Sequence, residues 1–139
     1  MVNKTILESI FNRKGGEGIK TKLIKNDDNL LTCISYDVKE QETPILIYFV
    51  DNESWMLFTD AKIIYNRRNQ QLELEYNKII HVKPALSEEI KNGVTKADDF
   101  TKLLVTFNDN SSLIIDTEKG LPYKGIYQML HHISSVNNQ

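Results

Sequence analysis

The most informative segment of this chain reads Trp55-Met56-Leu57-Phe58-Thr59-Asp60-Ala61-Lys62-Ile63-Ile64-Tyr65. Two halves rich in strand-forming residues, 55–59 and 62–65, flank a turn at Asp60-Ala61. Successive side chains of a strand point to opposite faces, and in the first half both sets are largely apolar. The segment therefore predicts a β-hairpin that is buried on both faces, inside the core.

Other short strands are predicted on both sides of this hairpin. Lys20–Lys25 fits either a strand or a loop, Asn26–Asn29 a turn, and Asn66–Gln71 a hydrophilic loop. In Leu72–Tyr76 the alternation is clean, so we expect one face to be buried and its glutamates to face solvent. The expected strands are Leu30–Val38, Ile45–Val50, Leu72–Tyr76, Ile79–Lys83, Leu103–Phe107 and Leu113–Ile115.

An amphipathic helix is predicted at each end of the chain. Thr5-Ile6-Leu7-Glu8 fits a capping box with Thr5 as the N-cap, so we expect a helix over residues 5–13 that Gly15–Gly18 ends. Near the other end, Gly120-Leu121-Pro122 begins a run of apolar residues at helical spacing. This run extends to about Ser135, after which the chain is expected to fray.

Length and composition indicate one ordinary globular domain. The 139 residues are 40% hydrophobic and 26% charged, close to the averages for such domains. We divide the chain into an N-terminal helix with a glycine-rich linker, residues 1–18, and a domain of residues 19–139. The longest connection, residues 84–100, is expected to hold one helical turn at Ser87–Ile90.

Charge is distributed unevenly along the chain. Residues 1–25 hold six basic and two acidic groups, so the rest holds 11 of the 17 basic and 17 of the 19 acidic groups. A slightly acidic body is not typical of a nucleic-acid-binding domain, which needs a basic stripe. Four lysines of the basic leader are candidates for contact with an anionic surface. They are Lys14, Lys20, Lys22 and Lys25.

Cysteine content and hydropathy favour the cytoplasm. Cys33 is the only cysteine, which excludes an intrachain disulfide, and we expect it to be a small buried hydrophobe. Polar residues interrupt the N-terminal apolar residues, unlike in a signal peptide. The longest apolar run, Ile45–Val50, is much shorter than a membrane span.

Together the elements predict an α+β fold that is mainly β. We expect a bent antiparallel sheet or partly open barrel of about seven strands, capped by the C-terminal helix and preceded by the short N-terminal helix. Four motifs carry the pattern: Trp55-x-Leu57-Phe58-Thr59-Asp60-x-Lys62-Ile63-Ile64, Leu74-x-Tyr76-x-x-Ile79-x-x-Val82, Leu113-x-Ile115 and Tyr127-x-x-Leu130-x-x-Ile133. Over roughly residues 30–135 the chain resembles the bacterial pleckstrin-homology-like (PH-like) domains.

The resemblance implies a binding or scaffolding module without catalytic chemistry, whose targets would be phosphoinositide headgroups, peptides or other proteins. The chain departs from the phosphoinositide-binding members, because Lys39 is the only basic residue between Leu30 and Trp55. We therefore expect a protein partner, docked at an open sheet edge or in the groove beside the terminal helix. The apolar stripe of the N-terminal helix packs on the domain or on a second copy of the chain.

Four residues are candidates for ligand or partner contact. The adjacent arginines Arg67 and Arg68 suit bidentate binding of phosphate or carboxylate, and a solvated loop is the other interpretation. Tyr65 and Tyr127 belong to the residue types enriched at interfaces, and packing of the core explains them equally well. A peripheral membrane or anionic-ligand sensor is the alternative function if these arginines and the basic leader share one face.

The sequence contains no signature of an enzyme, a metal site or a cofactor site. Gly15–Lys20 departs from a phosphate-binding loop, because no lysine directly follows its glycines. His131 and His132 are consecutive on a helix and point about 100° apart, and His81 is expected to be a hydrogen-bonded structural residue. A small-ligand enzyme stays as an alternative, and it requires a cavity with a few polar groups inside.

Overall fold

The structure is a computed structural model that describes residues 2–25 and 29–139. These residues form an α+β fold with two antiparallel sheets, of five and three strands, and a long C-terminal helix. Short 3-10 helices lie at Asn29–Cys33, Tyr76–Lys78 and Ala97–Asp99. In chain order the other elements are α1 (Lys4–Lys14), β1 (Thr21–Leu23), β2 (Pro44–Asp51), β3 (Ser54–Thr59), β4 (Lys62–Arg67), β5 (Gln70–Glu75), β6 (Ile79–Pro84), α2 (Leu86–Lys91), β7 (Lys102–Phe107), β8 (Ser112–Asp116) and α3 (Leu121–Asn137).

The predicted hairpin is confirmed as β3 and β4, at the middle of the first sheet. This sheet has the strand order β1-β2-β3-β4-β5. Met56 and Phe58 of β3 belong to one buried cluster, whereas Trp55 and Leu57 belong to a second cluster on the opposite face. Because both faces carry large apolar side chains, each face must be covered by other parts of the chain.

The second sheet, with the order β6-β7-β8, covers one face of the first sheet together with α1 and α3. The larger cluster lies between them and includes Phe11 of α1, Val105 of β7 and Leu130 of α3. In residues 2–25 and 29–139 no ladder joins the two sheets, so they do not close into a barrel. The α+β prediction is thus confirmed, with eight strands instead of about seven.

The strand predicted over Leu30–Val38 is wrong. Asn29–Cys33 is a 3-10 helix, residues 34–38 have no strand pairing, and the predicted turn at Asn26–Asn29 falls largely outside the described residues. Ile34 is buried in the second cluster, and the segment lays further apolar side chains around it on the first sheet. The apolar residues that suggested a strand therefore belong to a segment that covers a sheet. Those packed with Ile34 are Leu31, Tyr36 and Val38.

Glu42 ties this covering segment to β3. Its buried carboxylate accepts hydrogen bonds from the hydroxyls of Tyr36 and Thr59, both at 2.8 Å, and from the Lys39 amide at 3.2 Å. Burial raises the pKa of Glu42, but the hydrogen bonds outweigh burial and leave the pKa below its ordinary value. Glu42 is therefore held in its charged form.

The N-terminal helix begins earlier than predicted. Asn3 is the N-cap, and its Oδ1 accepts a hydrogen bond from the Ile6 amide at 3.1 Å. Thr5 lies inside the helix, and Glu8 pairs with Lys4 at 3.7 Å instead of reaching back to a cap. Asn caps helices as well as Ser or Thr, so the capping box marked the right region with the wrong residue.

Two glycines let α1 and α3 pack closely. Gly15 ends α1 as predicted, and its Cα lies against the backbone of Gly125 and Leu121. A Cβ at Gly15 would overlap that backbone, and a Cβ at Gly125 would overlap the ring of Phe11. The contact therefore depends on the absence of side chains on both helices.

Two further predictions about loops and ends are corrected. The loop expected over Asn66–Gln71 reduces to a two-residue turn at Arg68-Asn69, whose φ angles of 52° and 64° suit a hairpin turn. The C-terminus does not fray after Ser135, because the side-chain amide of Asn137 donates through Nδ2 to the Tyr76 carbonyl at 2.6 Å and to the Ile79 carbonyl at 2.7 Å. α3 is thus anchored to the start of β6.

Gly15→Ala is expected to destabilise the protein by about 1–3 kcal/mol, the usual cost of overpacking. The new methyl group would overlap backbone atoms of α3, which cannot rotate away. Chemical denaturation checks the change in the free energy of unfolding. The neighbouring exposed substitution Lys14→Ala should change it by less than about 0.5 kcal/mol. Equal effects of the two substitutions would contradict the close helix contact.

Glu42→Gln is expected to destabilise the protein at neutral pH by about 1–3 kcal/mol, since buried hydrogen bonds to a charge are lost. In the wild type, this stabilisation is present above the ordinary carboxyl pKa and is lost as the pH falls towards the lower pKa of folded Glu42. Denaturation curves across acidic pH should therefore converge for wild type and variant. Glu40→Gln, at an exposed position, is the control. A constant gap at all pH values would argue against a lowered pKa.

Candidate functional site

A cleft separates the edge strands of the two sheets, β5 and β8. We call it the β5–β8 cleft. Its wider part, about 380 Å³, is lined by Leu72 of β5, Leu113 and Ile114 of β8, and the side chains around Arg68. A smaller part, about 180 Å³, lies between Glu73–Glu75 and the turn before β8. The cleft is thus apolar in the middle.

Both walls of the cleft turn backbone groups towards it. The Asp116 amide of β8 donates to the Tyr65 hydroxyl at 3.2 Å, so it points away from β7. By alternation the backbone groups of Ile114 point the same way. On β5, the two-residue turn makes Arg67 and Gln70 a hydrogen-bonded pair. Because such pairs alternate along the strand, the backbone N–H and C=O groups of Gln71 and of every second residue after it point away from β4, towards the cleft.

Leu72 is the clearest sign that this cleft is open. The alternation in Leu72–Tyr76 predicts one buried face, and Leu74 is buried as expected. Leu72, on the same face, is 47% exposed. It lies opposite Tyr65 on β4, at the edge of the larger cluster, where no strand covers it among the described residues.

A second space, which we call the polar cavity, opens where the cleft meets the end of β4. It measures about 390 Å³ and lies between the two sheets. Its walls combine hydroxyl, charged and aliphatic side chains: Tyr48, Val50, Tyr65, Arg67, Lys102 and Asp116. The order of strands brings these residues together from β2, β4, β7 and β8.

Asp116 organises the charges of the polar cavity. Its Oδ2 lies 2.9 Å from Nη1 of Arg67, and its Oδ1 lies 2.6 Å from Nζ of Lys102. Two cations on one carboxylate leave a net charge of about +1. Arg67 thereby bridges the two sheets, since it belongs to β4 and Asp116 to β8.

The tyrosine hydroxyls of the cavity stay protonated. Burial, followed by the charges of Asp116 and Glu118 and by Tyr65, raises the pKa of Tyr48 to about 12. Burial also raises the pKa of Tyr65. Both hydroxyls are therefore neutral at physiological pH and keep a hydrogen to donate.

The structure brings together three of the four predicted contact residues. Tyr65 and Arg67 line both the polar cavity and the cleft, and Arg68 lies at the rim of both. Tyr127 lies elsewhere, half-buried on α3, with its ring 6.5 Å from that of Tyr123 in an edge-to-face contact. Tyr127 is therefore not brought together with the other three residues.

The leader lysines are exposed but do not form one patch with the arginine pair. Lys14 lies in the last turn of α1, Lys22 lies within β1, and Lys25 follows β1. Only Lys20 lies at the same end of the first sheet as Arg67, because its carbonyl accepts from Phe49 next to the β2–β3 turn. That turn places acidic side chains between β1 and β4 at this end. They are Asp51 and Glu53.

A groove of about 270 Å³ also lies beside the terminal helix, between α1 and α3. Ile6 and Val136 line it and remain 46% and 50% exposed. His132 contributes to its wall. The predicted groove beside α3 is therefore present, although it is smaller and less polar than the cavity.

Other candidate residues have no part in these sites. Cys33 is exposed, not buried, because it lies on a 3-10 helix instead of the predicted strand. His81 is exposed on β6 and is not built into the core. In residues 2–25 and 29–139, no group of three or more His, Cys, Asp or Glu residues is placed to hold a metal ion.

Sequence reasoning missed Lys102 and Asp116, and it did not single out Tyr48 from the other tyrosines that could line a pocket. Lys102 and Asp116 lie at the two ends of a predicted hairpin, and an antiparallel pairing of Leu103–Phe107 with Leu113–Ile115 would have placed them opposite each other. The sequence carried no signal that this pair faces Arg67, because that contact joins different sheets. Only the packing of the two sheets sets it.

No family model, curated protein or solved structure matches this chain. In the part of the chain that the structure describes, none of the helices is both long and apolar enough to cross a bilayer.

Alkaline titration checks the state of Tyr48. Burial also raises the pKa of Tyr76 and Tyr123, so we expect the folded wild type to contain several phenols that ionise late, one of them near pH 12, and Tyr48→Phe to remove that one. Because the pKa is raised in the folded state, the stability linked to Tyr48 is present below about pH 10 and is lost above it. Ultraviolet absorbance of the phenolate follows the ionisation, with urea-unfolded protein as the control. Ionisation of every tyrosine near pH 10 in the folded protein would contradict this result.

Proposed function

We propose that this protein is a non-catalytic interaction module of the PH-like type, which binds an extended segment of a partner protein in the β5–β8 cleft. The observation that carries the proposal is the pair of edge strands that face one cleft without pairing with each other. An edge strand presents free N–H and C=O groups, and an added strand satisfies them.

The order of elements supports the PH-like type. β2 to β5 form one antiparallel sheet, β6 to β8 form a second, and α3 follows them at the end of the chain. Seven strands followed by a terminal helix agree with the order of elements that the resemblance implies, and this agreement supports the proposal. α1 and β1 are additions at the front, and β1 extends the first sheet beside β2.

The side chains of the cleft favour an extended peptide with a definite pattern. Leu72, Leu113 and Ile114 form an apolar centre that suits aliphatic or aromatic side chains of a partner. Arg68 at one end favours an acidic residue of the partner. Alternate residues of the added strand face these groups, so we expect an acidic residue two or four positions from the apolar one.

Affinity selection from a random peptide library tests this function. Peptides selected on the wild type are expected to lose at least roughly tenfold in affinity for Leu72→Asp, because a charge is placed in the apolar centre. Ile90→Asp is the matched control, since Ile90 is 69% exposed on α2, outside the cleft. Binding that both variants keep would place the partner surface elsewhere.

Two further measurements separate strand addition from simple apolar contact. A selected peptide should protect backbone amides of β5 and β8 from hydrogen exchange, because it pairs with their free groups. N-methylation of alternate peptide amides should abolish binding in one register and spare it in the other. Equal tolerance of N-methylation in both registers would contradict the addition of a strand.

A further inference from the structure

The polar cavity has features that a peptide cleft does not require. It lies between the sheets at the end of β4, and its charged groups Arg67, Lys102 and Asp116 pair with each other, with the Arg67 side chain 48% exposed. Its volume of about 390 Å³ falls in the range of small-molecule sites. The cavity and the β5–β8 cleft share Tyr65, Arg67 and Arg68 at their border, but the features of the cavity suit a small molecule and not an extended peptide.

The acceptors of Asp116 and Thr101 in the cavity wall already have partners, whereas the buried Oδ1 of Asn66 has none. Each carboxylate oxygen of Asp116 has its own cation, Arg67 at 2.9 Å and Lys102 at 2.6 Å. The carbonyl of Thr101 accepts from the Thr117 amide at 2.7 Å and from the Thr117 hydroxyl at 3.2 Å. A donor group of a ligand would therefore find mainly the Asn66 Oδ1 as a free acceptor.

Donors, in contrast, are in surplus. A guanidinium has five N–H groups and an ammonium three, so the bonds to Asp116 leave donors on both Arg67 and Lys102. The Tyr65 hydroxyl accepts from the Asp116 amide and keeps its own hydrogen. Burial keeps the pKa of Tyr48 at about 12, so its hydroxyl also has a hydrogen to donate.

Charge and donors together define the class of ligand. Arg67 and Lys102 with Asp116 leave about one positive charge, and Arg68 at the rim adds a second, so the cavity favours an anion. We propose that the polar cavity binds a small molecule through an oxyanion, either a carboxylate or a phosphate group, held by Arg67 and Lys102 and by the Tyr48 and Tyr65 hydroxyls. Val50 lies in the same wall and contacts the apolar part of the ligand.

Asp116 acts here as a positioning residue. Without its carboxylate, the Lys102 ammonium and the Arg67 guanidinium would repel each other and turn towards solvent. Lys102 is only 22% exposed and Asp116 26%, so their bond is partly shielded from water and salt. The carboxylate thus holds two cations in one orientation before the ligand arrives.

An NMR titration of amide resonances with inorganic phosphate and, separately, acetate tests the proposal. We expect saturable shifts of the Tyr65, Asp116 and Thr117 resonances with at least one of the two, at constant ionic strength. The stronger of the two anions identifies the oxyanion as phosphate or carboxylate. Sodium chloride at the same ionic strength is the control, because general screening gives shifts that do not saturate.

Variants separate the cavity from general charge effects. Tyr48→Phe removes one donor and keeps the ring, and it should weaken binding of the stronger anion by roughly tenfold, as should Lys102→Met. Lys78→Met is the matched control, since Lys78 is an exposed lysine paired with Glu75 outside the cavity. The resonance dispersion of each variant reports whether it is folded.

Several outcomes would overturn this site. Absence of saturation with both anions at millimolar concentration would do so, and so would equal binding by Tyr48→Phe and the wild type. Leu72→Asp is expected to leave anion binding unchanged, because Leu72 does not line the cavity. Loss of peptide binding in Leu72→Asp with anion binding intact would show that the two sites are separate. Loss of both would show that one ligand fills cleft and cavity together, which contradicts the independent anion site.

Discussion

The constraint on which this structure depends is that the first sheet carries large apolar side chains on both faces. Trp55 and Met56 are neighbours on β3, and each is almost fully buried, but in different clusters. The second sheet, α1 and α3 cover one face. Residues 31–38 cover the other, with Ile34 in the second cluster and Glu42 holding the segment to β3. Burial of the apolar side chains on both faces contributes the main favourable free energy for this arrangement.

Covering the sheet in this way leaves its edges unpaired. The second sheet lies across a face and forms no ladder with the first in the described residues, so β5 and β8 border an open cleft. At one end of that cleft, side chains replace the missing ladder, because Arg67 and Tyr65 both bind Asp116. The same bridge that joins the sheets collects the donors of the polar cavity. The packing of the second sheet across the first therefore produces both the open cleft and the polar cavity.

Local patterns predicted most of the helices and strands. The predictions were wrong where one pattern is compatible with two different structures. Apolar residues over Leu30–Val38 suit a strand and also suit a segment laid on a sheet, and long-range packing decided for the second. Thr5 and Asn3 are both residue types that cap helices well, and Asn3, the earlier of the two, is the N-cap of α1. In the candidate sites, Arg67 was recognisable as part of the adjacent basic pair Arg67-Arg68, and Tyr65 as a residue type that is enriched at interfaces. Lys102 and Asp116 were not, because single charged residues at strand ends are common on protein surfaces.

The sequence by itself determined the central hairpin, the strands that follow it and the terminal helix, because alternation and helical spacing are local properties that burial rewards directly. The sequence also shows the glycines of the α1–α3 contact, but it does not show that they allow the two helices to pack closely. Tertiary structure alone decided that Leu72 stays exposed, that β5 and β8 remain edges, and that Arg67, Lys102 and Asp116 converge. These features depend on how two sheets pack across distant parts of the chain, and short-range patterns do not encode that geometry.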